Sequence, residues 1–225
     1  MSLYQFYPRL KGCIFIVTYG RSGSTLLQKA LQTLPDSCIR GENDGILVQL
    51  YRAYQKANFA RGQFGKLPTA SDNPWFGADR IDPQSFGEQL SEVFIREIIR
   101  PQSNVRWVGF KEIRYSELKE DFVSFFDFAR KVFPNLFIVF NSRNVSAVRE
   151  SGWWAKMDPD NVAKIISEMD ARFSSYSQSA PHCTFHAHHE ETSTNPSSLS
   201  ALFEMLGEPM DIERLRLAVT SKLTH

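Results

Sequence analysis

The seven residues Tyr19-Gly20-Arg21-Ser22-Gly23-Ser24-Thr25 hold two glycines, three aliphatic hydroxyls and one guanidinium between an apolar run and a helical one. Backbone N–H groups in such a turn converge on one concavity, and the first helical turn adds donors that have no intrahelical partner. The hydroxyls of Ser22, Ser24 and Thr25 can bond the same guest, and phosphate or sulfate suits it. The bland alternative is a plain strand-to-helix turn capped by serine or threonine. A Walker A loop needs lysine after its last glycine, where Ser24 stands, and the only cation in the loop is Arg21. A nucleoside triphosphatase is therefore disfavoured. Glu42, in Arg40-Gly41-Glu42-Asn43, is a carboxylate that can take a proton from a hydroxyl, cap the following helix or bridge to Arg40. Lys111 closes a predicted strand, where an open α/β sheet places functional groups; a salt bridge with Glu112 or Asp121 is the competing reading.

The loop resembles the 5′-phosphosulfate loop of sulfotransferases that use 3′-phosphoadenylyl sulfate (PAPS), and is closest to the carbohydrate and tyrosylprotein branches, where arginine replaces lysine. A second stretch, Phe140-Asn141-Ser142-Arg143-Asn144-Val145-Ser146-Ala147-Val148-Arg149-Glu150-Ser151, resembles the family's 3′-phosphate motif. The resemblance implies 5′ contacts from Arg21, Ser22, Gly23, Ser24, Thr25 and Leu26, and 3′ contacts from Arg143 and Ser151. A guanidinium at a strand tip and a hydroxyl about two helical turns along can reach one phosphate. Ala147 stands where the family commonly has an acid. Arg40-Gly41-Glu42 is similar to a segment whose glutamate deprotonates the acceptor, which implies Glu42 as base, with Arg21 and Lys111 near the sulfuryl group. His189-Glu190-Glu191 and Leu202-Phe203-Glu204-Met205-Leu206-Gly207-Glu208-Pro209 resemble the family's C-terminal strand end and helix, with His189 where tyrosine is usual. The likeness further implies PAPS as donor, 3′-phosphoadenosine 5′-phosphate as product, and a glycan or small-molecule hydroxyl as acceptor.

These groups must be held by strands and helices in alternation. Gly12–Thr18 reads as a buried strand, and Leu27, Ala30, Leu31 and Leu34 share a helical face behind the loop. Ser37–Arg40, Val105–Phe110, Leu136–Asn141 and Cys183–His188 are further strands, the last at an edge. Helices are expected at 46–60, at 82–100 through Phe86, Leu90, Phe94 and Ile98, and at 117–133, 144–157 and 160–176. Two more come later, from Asn195 to Leu206 and after Asp211. Residues 58–80 break every period and read as an irregular excursion, a lid or acceptor-binding segment whose Phe59, Phe64, Trp75 and Phe76 line a pocket if it closes. The pattern predicts one three-layer α/β/α P-loop domain over residues 1–225, with a mainly parallel central sheet.

At 225 residues, 42% apolar and with 18 Phe, the chain can bury a full core without metal or disulfide. A net charge of +1 gives no whole-chain electrostatics that would suggest a binder of nucleic acid or of a membrane surface, so any anion must be held locally. Cys13, Cys38 and Cys183 match no zinc spacing, and His186, His188 and His189 lack supporting ligands, so no metal is expected. The absence of an 18-residue apolar run or a leader-like start points to a cytoplasmic protein. Two alternatives stay open, a kinase-like transferase on the same scaffold and a nucleotide-binding protein without turnover.

Overall fold

The computed structural model describes residues 3–220. After a short helix α1 (Leu3–Phe6), the first strand β1 (Gly12–Val17) runs into the glycine-rich loop and helix α2 (Ser24–Leu31). Strand β2 (Ser37–Arg40), helix α3 (Ile46–Phe64) and helix α4 (Pro83–Val93) come next, the last continuing as a π-helical turn, Phe94–Ile99. Strand β3 (Trp107–Glu112) leads through a kinked 3₁₀ segment, Arg114–Asp121, to α5 (Phe122–Val132) and strand β4 (Leu136–Ser142). Helices α6 (Val145–Arg149) and α7 (Pro159–Ser179) precede β5 (Thr184–His188), and α8 (His189–Thr194), α9 (Ser200–Met205) and α10 (Ile212–Thr220) end the described chain.

The five strands form one sheet in the order β2-β3-β1-β4-β5, and every neighbouring pair is parallel. Alternate residues of β1 therefore feed two cores. Cys13, Phe15 and Val17 face the layer of α3, α5, α7 and the π turn, where Phe110, Phe125, Phe126, Phe140 and Phe173 are buried. Ile14 and Ile16 face α2, α9 and α10, with Leu27, Leu31, Leu202, Phe203 and Leu215. The result is a three-layer α/β/α domain with a parallel central sheet, as the alternating pattern predicts.

Four boundaries differ from the sequence reading. Residues 58–64 are the last turns of α3, so the irregular stretch is shorter than 58–80. Between 82 and 100 the buried residues are Gly87, Ser91, Phe94, Ile95 and Ile99; Phe86 in the first turns of α4 is exposed, and so is Ile98, where the π turn adds a residue to the repeat and rotates the face. β3 begins two residues later than expected, at Trp107, and ends in Lys111 and Glu112 as expected. The expected helix at 144–157 is five residues of α6, a break, and a 3₁₀ turn, Gly152–Lys156, since Gly152 has φ of 61°.

Candidate active site

The carboxyl ends of β1 to β4 open into a cleft of about 520 Å³ lined by Gly20, Arg21, Gly23, Ser24, Thr25, Glu42, Lys111, Ile113, Arg143, Trp153 and His189. Motifs separated by more than a hundred residues thus meet where an open parallel sheet places ligands.

Arg21 and Gly23 both have positive φ, 63° and 76°, which curls the loop before α2. A non-glycine residue held there is strained and is typical of ligand-holding turns. The curl is fixed from beneath. Thr18 Oγ1 donates to the Asn141 carbonyl at 2.8 Å and lies 2.6 Å from Ser22 Oγ, while Asn141 Nδ2 donates to the Ser22 carbonyl at 3.0 Å. Ser22 is fully buried by these contacts, so its hydroxyl faces the sheet and its N–H is what it can offer an anion. Leu26 N–H is already used, donating to the Gly23 carbonyl at 2.9 Å. Among the described residues the Ser24 and Thr25 hydroxyls have no protein partner, and both residues line the cleft.

Glycine is required twice by close approach. A Cβ on Gly20 would lie 2.2 Å from the Trp153 ring, and one on Gly23 would lie 2.2 Å from His189 Nδ1. Trp153 and His189 are therefore walls of the cleft. His189 begins α8, where a strand end was expected. Burial and the neighbouring Arg143 charge hold its pKa below the ordinary histidine range.

Arg143 follows β4 and donates from Nη1 to the Arg21 carbonyl at 3.0 Å. Its Nε is buried without a partner among the described residues. A buried guanidinium N–H beside a cleft is a donor suited to an anionic acceptor. Its backbone is held by Tyr19, whose hydroxyl accepts from Arg143 N–H at 3.0 Å. Beneath this the Ser142 hydroxyl donates to Asp170 and lies 2.7 Å from His186 Nε2, which is the donor of that pair when the Ser142 hydrogen goes to Asp170. Burial, reinforced by His188, pushes the His186 pKa down to about 4. Burial likewise raises that of Asp170.

Ser151 is not two helical turns along from Arg143. It sits in the break after α6, in extended conformation, and its Oγ accepts from Arg21 Nε at 3.0 Å. The two predicted phosphate subsites are therefore joined directly, through Arg21 and Ser151 and through Arg143 and the Arg21 carbonyl.

Across the cleft, Lys111 pairs closely with Glu42, and Arg114 Nη1 stands 3.6 Å from the other carboxylate oxygen. Arg40, the partner that sequence offered, instead donates to the Ile99 and Arg100 carbonyls. The loop bearing Glu42 is held by Glu112. That buried carboxylate accepts from Asn43 N–H at 3.2 Å, Gly45 N–H at 2.9 Å and Ile113 N–H at 2.8 Å, and pairs with Arg114 at 3.2 Å. Burial alone would raise its pKa, but the Gly45, Ile113 and Asn43 N–H groups and Arg114 outweigh it and hold the carboxyl below its ordinary value. Nothing local in Phe110-Lys111-Glu112 signals this role, because the Asn43 and Gly45 N–H groups that it holds come from another loop.

A model described as "Sulfotransferase family" matches residues 13–211. In three dimensions the chain is similar to the "Sulfotransferase Domain from the Synechococcus PCC 7002 Olefin Synthase", with a TM-score of 0.57 and 17% identity over 95% of this chain and 79% of that one. It is equally similar to the "Sulfotransferase Domain from the Curacin Biosynthetic Pathway", with TM-score 0.57 and 17% identity, over 95% of this chain and 80% of that one. At that identity both likenesses speak for the fold. No curated protein is detectably similar to the chain in sequence.

Proposed function

The chain belongs to the sulfotransferase family, and from that premise we propose that it moves the sulfuryl group of PAPS to an acceptor hydroxyl on a carbohydrate or small molecule, using the turn after β1 as a P-loop. One observation carries the reading: the Arg21 loop and Arg143, with its partnerless buried Nε, share one cleft with the Glu42–Lys111 pair.

The donor set fits the group. The Ser22, Ser24 and Thr25 N–H groups, with the Ser24 and Thr25 hydroxyls, are suited to the 5′ end, and Arg143 with Ser151 to the 3′ phosphate. PAPS supplies, when bound, a sulfuryl group already attached to a phosphate leaving group. Glu42, which lines the cleft, takes the acceptor's hydroxyl proton onto a carboxylate oxygen in this reading. Lys111, buried at the tip of β3, orients that carboxylate and adds positive charge to the cleft. Arg21 offers its guanidinium where negative charge accumulates on the leaving group. Its bond to Ser151 couples that charge to the 3′ side.

The test is calorimetric titration in EDTA with 3′-phosphoadenosine 5′-phosphate, then ADP and AMP, repeated with Arg143→Ala. Micromolar affinity for the bisphosphate with weak ADP binding is expected, and the variant should lose about 1.5–3 kcal/mol, a charge-assisted contact. Equal affinity for ADP would overturn the donor assignment. Glu42→Gln should keep bisphosphate binding and lose transfer by about 10²–10⁴-fold; full activity would remove Glu42 as base. Bisphosphate binding with no turnover on any hydroxyl acceptor would favour the non-catalytic alternative.

A further inference from the structure

The aromatic residues of the excursion do not line the cleft. Phe59 and Phe64 lie in the last turns of α3, whose 19 residues extend about 27 Å from the Glu42 end. They form a surface ladder with Trp75. Phe64 and Trp75 stack with centroids 3.6 Å apart and planes within 4°, and Phe59 meets Phe64 edge-on at 5.9 Å. None belongs to either core cluster. Phe59 is 61% exposed, Leu67 75%, Trp75 46% and Phe76 58%, so these apolar groups project outward from a turn rich in glycine and proline.

Charge gathers in the same segment. From Arg52 to Arg80 there are five basic residues, Arg52, Lys56, Arg61, Lys66 and Arg80, against Asp72 and Asp79, so this stretch is +3 in a chain of +1. None of the five is in an ion pair with a described carboxylate. Arg52, Lys56 and Phe59 follow three- and four-residue spacing and share a helix face. Tryptophan and phenylalanine projecting beside lysine and arginine that lack counter-ions are the composition that settles at a lipid headgroup boundary, the rings entering it and the cations facing acidic headgroups.

We propose that the end of α3 and the following turn dock on an anionic lipid surface. The choice of a bilayer over an acidic protein rests on the projecting aromatics. They stand out from the surface and line none of the described clefts, and the cations among them have no carboxylate partner among the described residues, so the patch offers both insertion and charge complementarity to acidic headgroups. Docking there leaves the cleft, at the other end of α3, open to its ligands.

Co-sedimentation of the full chain tests this with vesicles of phosphatidylcholine alone and with phosphatidylserine as about a third of the lipid. Binding is expected only to the acidic vesicles, and it should weaken as added salt shortens the Debye length. Phe59→Ser with Trp75→Ser should lower partitioning by about tenfold or more, and Lys66→Glu with Arg80→Glu should do the same. Unchanged affinity of the variants for 3′-phosphoadenosine 5′-phosphate reports an intact fold. The proposal is overturned by absence of binding to acidic vesicles, even with binding to a soluble acidic protein, or by variants that sediment like the parent.

Discussion

Glu112→Gln isolates what holds the proposed base in place. The substitution keeps the shape of a buried side chain but turns one carboxylate oxygen into an amide NH₂. If Oε2 is the atom replaced, the Asn43 and Gly45 N–H groups, at 3.2 and 2.9 Å, face a donor instead of an anion. If it is Oε1, the same happens to Ile113 N–H and Arg114. Hydrogen bonds to a charged acceptor contribute about 1.5–3 kcal/mol each, and with partial relaxation the variant should lose about 3 kcal/mol. For a chain of this length that is a fall of about 6–12 °C in Tm. Because the folded carboxyl titrates below its ordinary 4.5, its contribution is present above that pH and is lost as pH falls below it. Parent and variant should therefore converge in acid. Glu42 immediately precedes Asn43, so loosening that loop should slow transfer by about tenfold or more. Affinity for the bisphosphate should stay within about twofold, since Arg143 and the Arg21 loop are tied to Thr18, Tyr19 and Asn141 instead. Thermal unfolding, calorimetry and initial rates on one preparation decide it. A Tm change below about 2 °C, or a loss of donor affinity matching the loss of rate, would refute the assignment.

Gly23→Ala and Gly207→Ala share a positive φ, 76° and 63°, and each should lose about 1–2 kcal/mol of stability in urea titrations. Only Gly23 has His189 against it, with open space around Gly207, so calorimetry should show bisphosphate binding lost in the first and kept in the second. The pKa of His186, lowered to about 4 from an ordinary 6.5, contributes stability that is complete above pH 6.5 and is lost as pH falls toward 4. Unfolding midpoints should register about 2 kcal/mol of that loss between pH 7 and 5. In His186→Gln, which keeps a donor for Ser142, the corresponding slope should vanish.

The layers of this protein were legible because buried parallel strands are continuous apolar runs. Gly12–Val17 and Leu136–Asn141 declare themselves without neighbours, and the glycine-rich turn after the first stands out as a candidate anion-holding loop. The resemblance to sulfotransferase motifs singled out Arg143, Glu42 and Lys111, whose types and strand-end positions suit the chemistry it implies. The tertiary structure decided what each of them touches. Lys111 and Glu112 can lie buried in β3 because the loop after β2 brings a carboxylate to the first and two N–H groups to the second, partners that a local reading of the strand end does not supply. Ser151 left its helix and met Arg21, His189 and Trp153 became walls, and the excursion's aromatics turned outward. Secondary structure follows from a residue and its near neighbours, but a buried charge is tolerated only where distant chain supplies its counterpart, and that is settled when the layers assemble.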